Sequence, residues 1–182
     1  MNPLLVCSKS TRKFLPGYDR VRVVTSAPTK DILKEVGTEE NVVAIGGGAV
    51  IDTAKILSKN PIRCYPTTAA GSSSTSWSVY WDGNKKCSLK RMMPEDVILQ
   101  GMFVEDLPDE VIRDTTYDVV SHCLDSMSSI KATEESVAYC KEALQILRTE
   151  KDNFGLIKAG DIAGKAIEIA GTNLLHSLSY PM

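Results

Sequence analysis

Two sets of residues in this chain have the types and spacing to do chemistry. The first is Gly46-Gly47-Gly48, which closes the apolar run Val42-Val43-Ala44-Ile45 and opens Ala49-Val50-Ile51-Asp52-Thr53-Ala54-Lys55. A β-branched run, three glycines and a helix-forming segment read as a strand, a tight turn and a helix start. Glycines let a backbone approach a ligand closely, and a helix N-terminus favours an anion such as a phosphate. An ordinary strand-to-helix turn has the same order of elements. Three consecutive glycines exceed what such a turn needs, which favours a cradle for a nucleotide pyrophosphate. The spacing is neither the G-x-G-x-x-G fingerprint nor the P-loop with its Lys and Ser/Thr.

The second set is Asp118, His122 and His176; the chain has just two histidines. Asp118 and His122 lie four apart on a predicted helix, so their side chains leave one face. Together with His176, near the end of the last helix, they offer mixed oxygen and nitrogen ligands. Such a set suits a first-row divalent metal, Fe2+ or alternatively Zn2+. Taken alone, the pair reads better as a surface i,i+4 pair of roughly 0.2–0.5 kcal/mol, and His176 as a hydrogen-bonded helix-end histidine. A nucleotide-type turn in the same chain shifts that balance. A nicotinamide cofactor plus a metal is an economical set for hydride chemistry on an alcohol or aldehyde.

The elements that must position these residues follow from the pattern. Leu4 to Val6, Val21 to Thr25, Val42 to Gly46, Ile62 to Tyr65 and Val97 to Leu99 are strand candidates. Asp31 to Val36 is a short helix ended by Gly37, and the helix after the glycines runs to about Ser58. Trp77 to Trp81 and Cys87 to Arg91 pair as a hairpin over Asp82-Gly83-Asn84. Between strand and hairpin stands Pro66-Thr67-Thr68-Ala69-Ala70-Gly71-Ser72-Ser73-Ser74-Thr75-Ser76. Such a run is commonly a linker, but here it follows a strand, where open α/β sheets bind ligands. After Leu107-Pro108 the pattern turns helical. Ile112, Val119, Cys123 and Met127 recur at turn-like spacing, as do Val137, Cys140, Leu144 and Leu147, and then Ile162, Ala166, Ile169 and Asn173. The expected fold is therefore α/β. A small Rossmann-like N-terminal domain with a parallel sheet spans 1–106, and an all-helical domain spans 107–182.

Bulk properties narrow the function classes. The chain has 182 residues, 43% of them apolar, and a formal net charge of -2. That charge gives no electrostatic argument for nucleic acid or an anionic membrane. No apolar run approaches the ~20 residues of a membrane span. The apolar part of Met1 to Cys7 is too short for a signal peptide. Five cysteines, scattered and in no C-x-x-C pair, read as free thiols in a reducing cytoplasm.

These residues resemble the iron-containing (group III) alcohol dehydrogenase family, whose fold is shared with glycerol dehydrogenase and dehydroquinate synthase. Gly46 to Lys55 is similar to the family's GGG-x-x-x-D-x-A-K. Pro66-Thr67-Thr68-Ala69 is similar to its P-T-T-A, with the serine run where the family has G-T-G-S-E. Asp118-Val119-Val120-Ser121-His122 is similar to D-A-x-S-H, and Ala170-Gly171 through Pro181 to the segment with the third metal ligand. The resemblance implies NAD or NADP as cofactor, with the amides of Gly46, Gly47, Gly48 and Ala49 on the pyrophosphate. It implies Thr67 and Thr68 along the nucleotide, and Lys86 facing the cofactor. It implies a divalent metal, Fe2+ first, on Asp118, His122 and His176. Hydride would pass between the nicotinamide and a metal-bound small alcohol or aldehyde. The Trp77 to Asp82 block and the His-Ser-x-Ser-Tyr-Pro ending look most like members acting on small aldehydes such as phosphonoacetaldehyde. No individual catalytic side chain is singled out.

The departures from the family pattern bear on activity. The chain is about half a full member's length, and the region before the glycine turn is short of a strand–helix unit. A second metal-histidine block would begin beyond Met182. Ser72-Ser73-Ser74 stands for Gly-Ser-Glu, Gln100-Gly101 for Asp-Pro, and Thr116-Tyr117 for Gly-Leu. One ligand fewer weakens metal affinity, so nucleotide binding is better supported than turnover. The alternative of another class is a non-catalytic nucleotide-binding or interaction protein derived from the same fold. A lyase of the dehydroquinate synthase type lacks its extended Lys- and Arg-bearing phosphate loop here. A homodimer is one way to cover apolar surface left by a short helical half.

Overall fold

A computed structural model describes residues 2–172 and divides the chain into two compact units. Among the described residues one comprises 2–67 and 76–98, the other 68–75 and 99–172. His176 and Asn173 lie outside the described residues.

In the first unit five strands, β1 (Leu4–Ser8), β2 (Val21–Val24), β3 (Val42–Gly46), β4 (Arg63–Pro66) and β7 (Asp96–Val97), form a parallel sheet in the order β2-β1-β3-β4-β7. β1 and β3 read as continuous apolar runs because both faces are covered. Leu5, Val6, Cys7 and Ala44 have no exposed surface. The segment before the glycines thus holds two strands, joined by only a four-residue helix α1 (Lys9–Arg12). Asp31 to Val36, expected as a short helix, is a 3-10 helix over Lys30–Glu35, and Gly37 after it has φ +65. Helix α2 (Gly48–Leu57) buries Val50, Ile51, Ala54, Ile56 and Leu57 in one core with Val6, Ala44, Ile62 and Cys64. Each Val, Ile or Leu among them contributes roughly 1.5–3 kcal/mol of burial.

The hairpin β5 (Trp77–Asp82) and β6 (Lys85–Lys90) forms as its turn residues predict, with Gly83 at φ +59. Its inner face lays Tyr80 and Leu89 on that core. Lys55, 2% exposed, anchors it: Nζ donates to the Trp77 carbonyl and lies 3.6 Å from Asp52 Oδ1. Arg91 closes the helix by donating to the carbonyls of Lys55 (3.1 Å) and Ser58 (2.5 Å).

The second unit packs α3 (Asp109–Ser128), α4 (Glu134–Thr149) and α5 (Asn153–Ala170) around a small core. Asp109 and Glu110 sit in the first turn of α3, where the helix dipole favours them. Thr133 and Ser136 form a capping box on α4, and Asp152 accepts from Gly155 N at 2.7 Å on α5. The buried faces differ in part from the stripes picked by large apolar residues. On α3, Val119 and Cys123 are buried as expected, but Met127 is exposed. On α4 the buried residues are Ser136, Cys140, Ala143 and Ile146, with Leu144 and Leu147 at the margin. On α5 they are mostly Gly and Ala, with Ile162 at the margin. Small residues let three helices approach closely, so bulk alone misplaced the seam. Among the described residues no helix is long and apolar enough to cross a membrane.

Candidate functional site

In an open parallel sheet, ligands bind beyond the carboxyl ends of the strands, where the strand order reverses. Here the chain goes from β1 outward to β2, then returns to β3 on the other side of β1. The reversal falls between β1 and β3, and the three glycines sit at the carboxyl end of β3. Gly46 ends the strand and is buried, Gly47 is the N-cap of α2, and Gly48 and Ala49 begin the helix, all three half-exposed. The Gly47 carbonyl accepts from Val50 N (3.0 Å) and Ile51 N (3.1 Å). The amides before these two lie where a helix has no intrahelical acceptor. Gly46, Gly47 and Gly48 all have φ outside the left-handed region, so backbone freedom is not their purpose. A Cβ on Gly46 would lie 2.5 Å from Val50 Cγ2; the missing side chain lets the helix start directly on the strand end.

Two neighbours frame this turn. Thr67 N donates to the Gly46 carbonyl at 3.1 Å, tying the end of β4 to it. On the other side Thr11 Oγ1 donates to the Ile45 carbonyl at 2.9 Å in a buried bond. Ser8 and Thr11 cap each other reciprocally, so the loop after β1 is fixed against β3.

The helical unit contains a second convergence. Segment 68–75 turns at Gly71 (φ +71) into a 3-10 turn over Ser72–Ser74 and seats on α5. A Cβ on Gly160 would lie 2.5 Å from the Ala69 carbonyl oxygen, and one on Gly164 2.7 Å from that of Gly71. Ser74 Oγ donates to Asp161, whose other oxygen pairs with Lys165 at 2.8 Å. A Cβ on Gly71 would lie 3.3 Å from His122 Cε1. His122, 5% exposed, therefore packs under the serine-rich segment.

Of the residues singled out from sequence, Gly46 to Ala49 and Thr67 meet at one end of the sheet. Thr68 begins the segment that joins the helices, and Lys86 lies half-buried on β6 opposite Trp81. Asp118 and His122 stand on α3, the first exposed and the second buried. Among the described residues no group of three His, Cys, Asp or Glu comes together. Asp125, 1% exposed and one turn beyond His122, escaped the sequence reading. Its i,i+3 spacing from His122 was the available signal. Thr11 had none, because its partner is far away in sequence.

The buried thiols of Cys7, Cys123 and Cys140 are poor nucleophiles. Burial pushes the Cys123 thiol up to about 12, with Cys140 beside it, and raises Cys140 as well. Burial also raises Cys7, partly opposed by the Arg12 charge. A polar cleft of about 230 Å3 lined by Arg20, Glu39, Glu40 and Lys59 among others lies at the opposite, amino end of the strands. Its charges pair with one another, Arg20 with Glu39 at 2.7 Å and Lys59 with Glu40 at 2.5 Å, so it is not the site.

A parallel α/β unit with a glycine turn at its crevice, combined with a helical unit, defines the class. No family model matches the chain. Maleylacetate reductase 1 of Cupriavidus pinatubonensis is 30% identical over 110 residues, 58% of this chain and 31% of that protein. An alcohol dehydrogenase of Thermococcus barophilus is 28% identical over 179 residues, 76% of this chain and 47% of that one. The crystal structure of an iron-containing alcohol dehydrogenase matches all of this chain with a TM-score of 0.85 at 25% identity. The iron-containing alcohol dehydrogenase from Thermotoga maritima matches with a TM-score of 0.83 at 24% identity. This chain spans less than half of those two relatives and 65% of each solved structure. The sequence and structural neighbours point to the iron-containing alcohol dehydrogenase family, and the chain covers part of that family's fold.

Proposed function

We propose that this chain is the cofactor- and metal-holding part of a nicotinamide-dependent oxidoreductase acting on a small primary alcohol or aldehyde. The observation that carries the reading is the half-exposed turn Gly47 to Ala49 at the β1/β3 reversal of a parallel sheet. Its amides and the dipole of a ten-residue helix face the place where a pyrophosphate belongs. Thr67 and Thr68 would line the nucleotide, and Lys86 would offer it a cation. Asp118 and His122 have the donor types for a divalent metal, Fe2+ before Zn2+, with His176 as third ligand. When bound, the metal supplies polarisation of the substrate oxygen and the nicotinamide supplies or accepts hydride.

What the residues themselves do is hold and exclude. The Thr11 and Thr67 bonds fix the cradle's two edges. Gly71 packs close to His122, which is 5% exposed, so little water reaches the imidazole. A cytoplasmic setting fits five free cysteines, and small aldehydes such as phosphonoacetaldehyde are the substrates to try first. A partner copy covering apolar helix surface remains part of this reading.

The test is Ala49→Glu, which puts a carboxylate on the cradle. Acid is favourable in a first helical turn, so the fold should persist. Titration calorimetry should show NADH or NADPH binding to the unaltered chain and a loss of at least roughly tenfold in the variant. Equal binding by both would sink the cradle. Cofactor binding without turnover of any small aldehyde, even with Fe2+ or Zn2+ added, would favour the non-catalytic alternative.

A further inference from the structure

The geometry points to a preference for the 2'-phosphorylated nicotinamide cofactor over the unphosphorylated one, set by side chains at the carboxyl ends of β1 and β2. It rests on the reading of Gly46 to Ala49 as a pyrophosphate cradle. A nucleotide with its pyrophosphate on the β3–α2 turn extends along the sheet edge either over β4 or over β1 and β2. On the β4 side the chain leaves as backbone bonded to the turn itself, through Thr67 N on the Gly46 carbonyl. On the other side β1 and β2 end together, with Ser8 paired in register to Val24. The residues that follow, Lys9, Ser10, Lys13, Thr25 and Ser26 among them, are exposed there. The adenosine ribose falls over that open side.

The two cofactors differ at this point by one phosphate. A free 2'-hydroxyl is recognised by a carboxylate acceptor, whereas a 2'-phosphate takes cations and hydroxyl donors. Between Leu4 and Lys30 the sequence holds a single carboxylate, Asp19. Asp19 precedes β2 and stands at its amino end, where the Arg20 carbonyl accepts from Leu5 N at 2.9 Å. The carboxyl-end segments 8–13 and 25–29 contain Lys9, Arg12 and Lys13, several hydroxyls, and neither Asp nor Glu. The Thr11–Ile45 bond holds α1, which follows β1 directly, beside the strand that ends in the glycine turn, so the cations stand just beyond the end of the strand next to the cradle. The amides of Ser8 and Thr11 at the start of the four-residue α1 are already taken by each other's hydroxyls, so recognition of the phosphate rests on the side chains. Arg12 donates one N–H to the Leu15 carbonyl and retains others for an anion.

The experiment is calorimetry of the full chain with NADPH, NADH, 2',5'-ADP and 5'-AMP. The phosphorylated member of each pair should bind at least roughly tenfold tighter. Lys9→Ala with Lys13→Ala should reduce NADPH affinity several-fold and leave NADH unchanged. Ser8→Asp should reverse the preference, and because Asp also caps a helix the variant should melt like the parent. Arg20→Ala, a cation at the amino end, should leave the ratio alone. Equal or tighter NADH binding overturns the preference while the cradle stands. An Arg20 effect as large as that of the lysines would show general charge attraction and overturn it too. Binding of neither dinucleotide removes the cradle reading itself, and the preference falls with it.

Discussion

The glycines of the α/β unit and those of the helical unit are set against different neighbours. At the β3–α2 turn, Gly47 and Gly48 are half-exposed, and the atoms nearest a Cβ on Gly46 belong to the side chain of Val50. On α5, Gly160 and Gly164 are buried against the backbone of Ala69 and Gly71. The first arrangement leaves Gly47 and Gly48 in part exposed; the second fills the space with another piece of the same chain. Glycine content alone therefore says nothing about binding. What separates the two is whether the atom facing the missing Cβ is backbone, a side chain or solvent.

That difference ranks the expected effects of adding a methyl group. Gly160→Ala should be the most damaging, because the new Cβ would sit 2.5 Å from the Ala69 carbonyl oxygen and 2.6 Å from its Cα. Backbone cannot rotate away. Ala is favoured over Gly in a helix by roughly 1 kcal/mol, but overpacking should outweigh this and leave a net loss of about 2–3 kcal/mol. Urea unfolding followed by circular dichroism reads it. A neutral or stabilised variant would mean that segment 68–75 does not seat on α5. Gly46→Ala should cost less, about 1–2 kcal/mol, since the 2.5 Å contact is to a side-chain methyl. Val50→Ala removes that methyl, so the double variant should be more stable than the sum of the singles implies, by at least roughly 0.5 kcal/mol. Strictly additive losses would break the proposed pairing of strand end and helix.

The same contrast explains what was legible beforehand. The glycine turn, the hairpin over Gly83 and the start of α3 near Pro108 each depend on residues close in sequence, and each could be read. The parallel sheet followed from apolar runs separated by connections long enough to cross over. The role of the serine-rich segment could not be read, because its seat is set by Gly160, Gly164 and Asp161, far along the chain. The helical seam was displaced for a related reason: Ala and Gly carry little hydrophobic signal yet line the closest contacts. Asp118 and His122 were correctly placed on one helix, but an i,i+4 rule does not say that one would be exposed and the other buried. Their partnership with His176 rests on the family resemblance and on no contact among the described residues.

The smallest expected effect separates the units by their buried thiols. Cys7 at the end of β1 is raised by burial but feels Arg12, whereas Cys123 in the helical core has Cys140 beside it, with its Sγ donating to the Cys140 carbonyl at 3.7 Å. A thiol whose folded pKa of about 12 exceeds its ordinary value of 9.0 stays protonated while the unfolded chain ionises. The unfolded state then binds fewer protons, so stability falls as pH rises above about 9, by no more than about 1.4 kcal/mol per pH unit. Below pH 9 this thiol contributes no pH dependence. Urea midpoints taken from pH 8 to 10.5 should therefore decline for the parent and decline less steeply for Cys123→Ala, whatever that variant's starting stability. At pH 8, Ellman's reagent should reach Cys87, which is half-buried on the hairpin, well before the four fully buried cysteines. An unchanged alkaline slope in Cys123→Ala would mean that its thiol is not shielded in the helical core, and with it would go the dry packing of α3 on α4.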